Sequence, residues 1–347
     1  MQIFRWGWTL LLALGLLSLL CIGFVGLLGA VWPDLDVINH FRPWWALAGG
    51  LALVALPLAQ RGWRPALGIV TGFALLLQLP FLVPTWLAGW GAPASALAEE
   101  READLTLVTL NLHYGTRHRQ EVIAYLRETE PDLVFLQELP LESLVEFHER
   151  LSDLYPHAAH CVDRRFCNLA ILSRFPLQNT AASYLGWRRF AEIPPQLPGW
   201  PLAESELPDR RKAAAGLTAA IDLGGAEPIQ LMNVHLTWPI PAEIQRRQFR
   251  WIVERLAALP PGPRLLAGDF NSTPWSFGLS GFEAALPLAR VSQGIMSWPT
   301  SLRRIPFPIV AIDQIYVSDA FTVEAVSAGP DVGSDHLPIE ARLRFVE

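Results

Sequence analysis

The sequence predicts an α/β sandwich, two sheets under helical layers, set behind about three membrane-spanning helices. Two observations carry that expectation. The chain is 51% hydrophobic with a mean hydropathy of +0.27, and the excess sits in its first ninety residues. Beyond Leu105, apolar runs of strand length recur with few amphipathic helical stretches between them, the pattern of sheets covered by helices. A length of 347 residues leaves room for one large domain or two smaller ones.

Residues 1–90 read as a membrane anchor. "GWTLLLALGLLSLLCIGFVGLLGAVW" (Gly7 to Trp32) and "PALGIVTGFALLLQLPFLVPTWLAGW" (Pro65 to Trp90) are long enough to span, since a span needs about 20 mostly apolar residues. "WWALAGGLALVALPLA" (Trp44 to Ala59) is shorter and takes Pro43 or Gln60 at its edges. The first run exceeds the apolar core of a signal peptide, about 7–15 residues, and two further runs follow it, so it is expected to stay as an anchor. Arg5 precedes the first run, and the second loop carries Arg61 and Arg64. The first loop, "PDLDVINHFRP", sets Asp34 and Asp36 against Arg42. Basic residues favour the cytoplasm, so three spans leave everything after Trp90 outside it, on the periplasmic or outer face of a bacterial inner membrane.

"GAPASALAEEREAD" (91–104) reads as a linker, and residues 105–347 as the globular domain. Residues 1–99 hold four Arg and three acids, so of the net charge of −6 the remainder carries about −7. A domain that acidic is no general polyanion binder. Of the three cysteines, Cys21 is expected to pack within its span. Cys161 and Cys167 bracket "VDRRF" and are expected to form a small loop disulfide in an oxidising compartment.

The elements follow in order. "LTLVTLNL" reads as a buried strand, and "RQEVIAYLRETEP" as a helix with Val122, Ile123 and Leu126 inward, stopped by Pro131. "DLVFLQEL" is a second buried strand, "LESLVEFHERL" a helix and "NLAILS" a strand. "AAGLTAAIDL" and "PIQLMNVHL" flank "GGAE" as a hairpin. "PAEIQRRQFRWIVERLAAL" is a helix with Ile244, Trp251, Ile252 and Leu256 on one face. "RLLAGDF", "VAIDQIYVS", "FTVEAVSAG" and "LPIEARLRFV" complete the strands. Two irregular stretches, 186–211 and 292–310, are rich in Trp or Pro and read as functional loops or plain surface cover.

Polar residues gather where these strands run out. Asn111 ends the first and Glu138 the second. Asn233 and His235 close "QLMNVHL", Asp269 and Asn271 close "RLLAGDFN", Asp313 interrupts "AIDQIYV", and Ser334, Asp335 and His336 precede the last strand. Taken singly, Asn271 would cap a turn, Asp313 would be a satisfied strand-end charge, and His235 a packed histidine. A carboxylate buried without a partner costs several kcal/mol, so the recurrence at successive strand ends needs a common cause.

The order "TLNL", "FLQE", "NVHL", "GDFNSTP", "IDQIYV", "GSDHLPI" resembles the endonuclease/exonuclease/phosphatase family, the DNase I-like superfamily, in a bacterial membrane-anchored branch. "ILSRFPL" (Ile171 to Leu177) is similar to that family's middle strand. The resemblance implies a four-layer αββα sandwich, a divalent metal, and hydrolysis of a phosphoester. The resemblance implies Mg²⁺ as that metal, with Mn²⁺ as a substitute. By resemblance Glu138 holds the metal, completed by Asn111 and Asp335, and Asp269 activates the attacking water. Asn271 donates to a phosphate oxygen, His336 holds another and is paired with Asp313, and His235 is a phosphate contact or leaving-group acid. Asn233 and Arg211 are expected at the substrate. Arg211 reads equally well as a solvated loop end, no Tyr aligns with the one some nucleases use (Tyr184 is poorly placed), and no glutamate partner for His235 is identifiable.

The function expected from these residues is a membrane-anchored, metal-dependent phosphodiesterase outside the cytoplasm. A phospholipid-like diester suits the anchor and the acidic domain, and a nuclease acting on DNA or RNA is the alternative. A non-catalytic membrane interaction module would have lost metal or base residues, and none is missing.

Overall fold

The computed structural model describes residues 2–91, 104–113, 119–161, 167–185, 190–193, 214–302 and 305–346. Helix α1 (Gln2–Leu28) is the first apolar run, and Ile3, Leu10, Leu14 and Phe24 stay exposed along it, as on a lipid-facing helix. A 3₁₀ segment, Pro33–Phe41, leads into α2 (Arg42–Ala55), and together they belong to a second stretch long and apolar enough to cross, Pro33–Leu58. Helices α3 (Arg64–Leu76) and α4 (Leu79–Gly91) form a third stretch bent by 51°. The bend falls just before Pro80, which lacks the N–H that would continue the ladder. By length and composition, the described residues thus hold two candidate spans, or three if the bent pair is one. The bundle packs through small residues: a Cβ on Gly49 would meet Leu75 at 2.7 Å, and one on Gly23 would meet Leu77 at 2.8 Å. Cys21 is a correction. It is exposed, because the buried stripe of α1 runs through Leu16, Leu19, Gly23 and Gly26, and a residue two positions from that stripe turns away from it.

The globular part begins with β1 (Leu105–Asn111), α5 (Arg119–Thr129), β2 (Leu133–Gln137) and α6 (Leu141–Leu151). Then come β3 (His157–His160), β4 (Ala170–Ser173), β5 (Leu177–Leu185), β6 (Phe190–Ile193), β7 (Ala215–Ile221) and β8 (Ile229–His235). The rest is α7 (Ala242–Ala258), β9 (Arg264–Asp269), α8 (Phe277–Glu283), β10 (Ala289–Arg290), β11 (Ser301–Leu302), β12 (Ile305–Pro306), β13 (Asp313–Val317), β14 (Phe321–Ala328) and β15 (Ile339–Phe345). Strands β3, β5, β6, β10, β11 and β12 and helix α8 were not expected from the sequence; β6, β11 and β12 lie in the two stretches read as irregular, β3 is four residues with a histidine at each end, and α8 is only seven residues.

One sheet has the order β14-β15-β1-β2-β4-β3 and the other β10-β13-β9-β8-β7-β5-β6. They face each other, and alternation along each strand decides what goes where. Leu105, Leu107, Leu133, Phe135, Leu231, Leu265 and Ala267 fill the space between the sheets. Val108, Leu110, Val134 and Leu136 turn outward under α5 and α6, while Met232, Val234 and Leu266 turn outward under α7 and α8. Both faces of these strands are covered, which is why they read as unbroken apolar runs. The result is the four-layer αββα sandwich. Cys161 and Cys167 are joined by a disulfide, Cα–Cα 5.4 Å.

Candidate active site

Two parallel strand pairs, β1 with β2 and β8 with β9, bring their carboxyl ends to one edge of the sandwich. Register does the rest. His235 pairs with Asp269 across β8 and β9, and Asp313 pairs with Asp269 across β13 and β9, so Asp269 has a histidine strand on one side and a carboxylate strand on the other. The close approach needs Gly268: its φ is +143°, and a Cβ there would lie 1.9 Å from the Val234 carbonyl oxygen. Glu138 and Asn271 both adopt left-handed backbone, φ +50° and +48°. For Glu138 that costs about 1–3 kcal/mol, a strain of the kind that gathers at functional sites.

The side chains converge. Asn111 Nδ2 donates to Asp269 Oδ2 at 3.0 Å and to Glu138 Oε1 at 3.4 Å. His235 Nε2 lies 3.7 Å from both Glu138 Oε1 and Asp269 Oδ2, so a glutamate does stand beside His235. Asp269 Oδ1 accepts from the Asn271 N–H at 2.8 Å, and the Asn271 amide donates to Leu236 O at 2.9 Å and Asp269 Oδ2 at 3.2 Å. His336 Nδ1 and Asp313 Oδ2 are 2.8 Å apart, with His336 Nε2 4.0 Å from Asp269 Oδ2. Ser297 donates to the same Asp313 oxygen at 2.5 Å.

The endonuclease/exonuclease/phosphatase family model matches residues 108–336. The chain belongs to that family. Solved structures share the fold at low identity. An endonuclease/exonuclease/phosphatase family protein from Bacteroides thetaiotaomicron is 17% identical, with TM-score 0.55, covering 70% of this chain and 98% of its own. A mannosyl-6-phosphatase from Bacteroides thetaiotaomicron VPI-5482 is 17% identical, TM-score 0.54, covering 70% and 100%. D. rerio TDP2 complexed with single strand DNA product is 17% identical, TM-score 0.53, covering 70% and 99%. No curated protein matches the sequence.

Electrostatics of the family site follow from burial. Desolvation, reinforced by Asp313, pushes the Asp269 carboxyl up to about 6, against His336 and His235, which pull it down. Burial opposes a charge on His336, but Asp313, through charge and hydrogen bond, and Asp269 outweigh it and raise His336 to about 9. Members of this family use divalent metals, and the residues here fit one. Glu138 offers a hard oxygen donor of the kind Mg²⁺ prefers, and Asp313 Oδ1 is buried with no hydrogen-bond partner. The Asn111 amide turns its nitrogen to Glu138 and Asp269 and its oxygen to the His113 N–H at 2.9 Å, so it would ligate only with the amide turned over. Among the described residues Asp269, Asp313 and His336 also cluster closely enough to ligate an ion. Of these groups Glu138 suits Mg²⁺ best, because His336 Nδ1 is already engaged by Asp313 and nitrogen donors suit Mg²⁺ less well.

Not every expected residue joins the cluster. Asp335 sits at its rim, where Oδ2 accepts from Trp298 Nε1 at 3.1 Å and Oδ1 lies 3.3 Å from His113 Nδ1. Asn233, expected at the substrate, is fully buried with its polar atoms spent between the sheets. It donates to Leu136 O and Ala170 O and accepts from Gln137 Nε2, so it ties β8 to the opposite sheet. Arg211 lies outside the described residues. Sequence reasoning missed Ser297 and Trp298, which lie in the irregular 292–310 stretch, where no periodicity gives a residue a direction.

Proposed function

We propose that this chain is a membrane-anchored, Mg²⁺-dependent phosphodiesterase whose active domain faces away from the cytoplasm and hydrolyses a phospholipid-like diester. One observation carries the chemistry: Asp269 is held from three donors with His336–Asp313 on one side and Glu138–His235 on the other. Glu138 would hold the cation, with Asn111 joining it if its amide turns its oxygen inward; the cation when bound neutralises charge on a phosphate oxygen. Asp269 takes the proton of the attacking water, its carboxylate oriented by Asn111 and Asn271. The Asn271 hydrogen now on Asp269 serves a non-bridging oxygen as phosphorus becomes five-coordinate. His336, kept cationic by Asp313, holds another phosphate oxygen, and His235 stands beside Glu138 to protonate the leaving oxygen.

Exposed apolar residues near the site favour a lipid. Trp238 is 60% exposed, and Ile240, Ile305 and Phe307 are exposed too. Trp238 meets Trp298 edge-on at 5.9 Å, and Trp298 bonds Asp335 next to His336. Phe307 contacts Trp44, at the start of α2, with ring centroids 5.0 Å apart. An apolar rim that runs onto a candidate span suits a headgroup offered by a bilayer, and a domain charge of about −7 disfavours a polyanion in solution. Trp44 Nε1 also donates to Ile309 O at 2.7 Å, a contact that supports the reading in which the first loop and the domain share a side and the basic second loop lies inside.

The test is hydrolysis by the full-length protein in lipid nanodiscs with Mg²⁺ or EDTA. Substrates are phosphatidylcholine, sphingomyelin, plasmid DNA, RNA and bis-p-nitrophenyl phosphate, with Asp269→Ala and His336→Ala as controls. Mg²⁺-dependent cleavage of a lipid that both variants lose is the expected result. Cleavage of nucleic acid alone would transfer the assignment to a nuclease, and intact diesters throughout would sink the mechanism.

A further inference from the structure

Two helices of the catalytic domain start without enough caps of their own. α7 begins behind Pro241, which offers no side-chain acceptor. α8 begins behind Ser276, whose hydroxyl accepts from Leu279 N and leaves the N–H groups of Phe277 and Gly278. Such N–H groups have no partner within the helix and favour a carboxylate.

The missing acceptors come from the 3₁₀ loop Pro33–Phe41, which opens the second candidate span. Asp34 Oδ1 accepts from Ala242 N at 2.8 Å. Asp36 accepts from Phe277 N at 3.0 Å and from Gly278 N at 2.8 Å, one carboxylate oxygen each. His40 Nδ1 accepts from Thr273 N at 3.1 Å and lies 3.0 Å from Thr273 Oγ1. Asp36, His40 and Thr273 are all buried in the joint. The loop is itself pinned to the bundle: Asn39 donates to Asp36 and to the Gly26 carbonyl, and Arg42 reaches Asn39 and Gln78.

What the loop grips is the turn that carries Asn271. Thr273 lies two residues beyond it. On the other side Gln245, one turn into the helix that Asp34 caps, donates to Phe270 O at 3.1 Å and Asn271 O at 3.2 Å. The backbone around Asn271 is thus steadied from two directions, both tied to Pro33–Phe41.

We propose that Pro33–Phe41 is a docking clamp for the catalytic domain, with Asp34, Asp36 and His40 as positioning residues for the Asn271 turn. The membrane module then does more than tether: the domain holds its catalytic turn in place only while seated on it. The positioning part rests on the reading of Asn271 as a phosphate donor, and the docking part does not.

The experiment uses full-length protein in nanodiscs carrying His40→Ala, Asp36→Ala, or His40→Asn, whose Oδ1 can replace the Nδ1 acceptor. Hydrogen exchange of residues 270–280 is measured beside kcat and KM for bis-p-nitrophenyl phosphate at saturating Mg²⁺. Local opening should speed exchange at Thr273, Phe277 and Gly278 about tenfold in the alanine variants, with residues 264–269 unchanged. Misplacement of Asn271 should lower kcat about tenfold or more, with KM held, and His40→Asn should restore both. Unchanged exchange in both alanine variants overturns the clamp. Faster exchange with an unmoved kcat overturns the positioning role. A parent protein that cleaves no diester defeats the proposed function instead, and the exchange data still decide the docking.

Discussion

Asp313 Oδ2 stands 2.8 Å from His336 Nδ1, both side chains nearly fully buried, and this contact sets the charge of the site. His336 is raised from 6.5 to about 9 because Asp313 outweighs burial. The sign follows. A histidine raised by folding contributes stability that is complete below its unfolded value of about 6.5 and is lost as pH climbs through about 9. If the cationic ring holds phosphate, activity falls over the same alkaline range. Asp313→Asn removes the partner, so the alkaline limb of the kcat/KM profile should move down from near 9, and kcat should drop about a hundredfold. A pH–rate series on parent and variant decides it, and an unmoved alkaline limb would detach His336 from the mechanism.

Asp269 has the opposite problem. Its carboxyl is raised to about 6 by burial and by Asp313. In the metal-free protein its share of stability is present below the unfolded value of 3.8 and lost as pH rises through about 6. At pH 7 the buried Asp269 carboxylate is a net cost to the metal-free fold. Asp269→Asn should therefore raise the unfolding temperature of EDTA-treated protein at pH 7 while abolishing hydrolysis. The parent's gain from Mg²⁺ should exceed the variant's. A variant less stable than the parent in EDTA contradicts the charge argument.

The candidate cluster was legible because Asp269, His235, Asp313 and Glu138 recur where apolar strands end or are interrupted, and their order, rather than any one of them, carried the family resemblance. The pairing of Asp313 with His336 came from the family resemblance, and their 2.8 Å contact bears it out; the left-handed Glu138 and the Asp269–Asp313 and Asp269–His235 pairs needed the backbone and its register. Asn233 misled for a physical reason: two residues before His235 on β8 it shares that residue's face, but it lies one step deeper, between the sheets. The clamp on α7 and α8 was beyond reach, since Asp36 and Phe277 are 241 residues apart in sequence. A loop acid carries no sign of which helix it caps.

The disulfide between Cys161 and Cys167 closes a short loop ahead of β4. Chain-entropy arguments give a bridge of that size about 2 kcal/mol. Replacing both cysteines with serine should lower stability by that amount and leave kcat within about twofold, because neither sulfur belongs to the site. Denaturant unfolding of parent and double variant measures it. In protein taken from cells under non-reducing conditions, a thiol reagent should label one cysteine, Cys21, and three after reduction and unfolding. Equal labelling before and after reduction would remove the bridge, and with it a support for the extracytoplasmic placement.

Gly26 is where the bundle and the clamp meet. A Cβ there would lie 2.5 Å from Asn39 Oδ1 and 2.7 Å from an Arg42 guanidinium nitrogen, so the side chains that hold Pro33–Phe41 must shift. Gly15, on the same helix, has nothing within 4 Å of the equivalent position. Gly26→Ala should destabilise the full-length protein by about 1–3 kcal/mol, the usual cost of forcing atoms into a filled site. Gly15→Ala should be neutral or slightly stabilising, since alanine is the better helix former. Thermal unfolding in detergent compares the two. Because Arg42 and Asn39 pass the strain to Asp36, Gly26→Ala should also speed hydrogen exchange at Phe277 and Gly278, on the far side of the joint. Equal behaviour of the two glycine variants would mean that the loop is not carried by this contact.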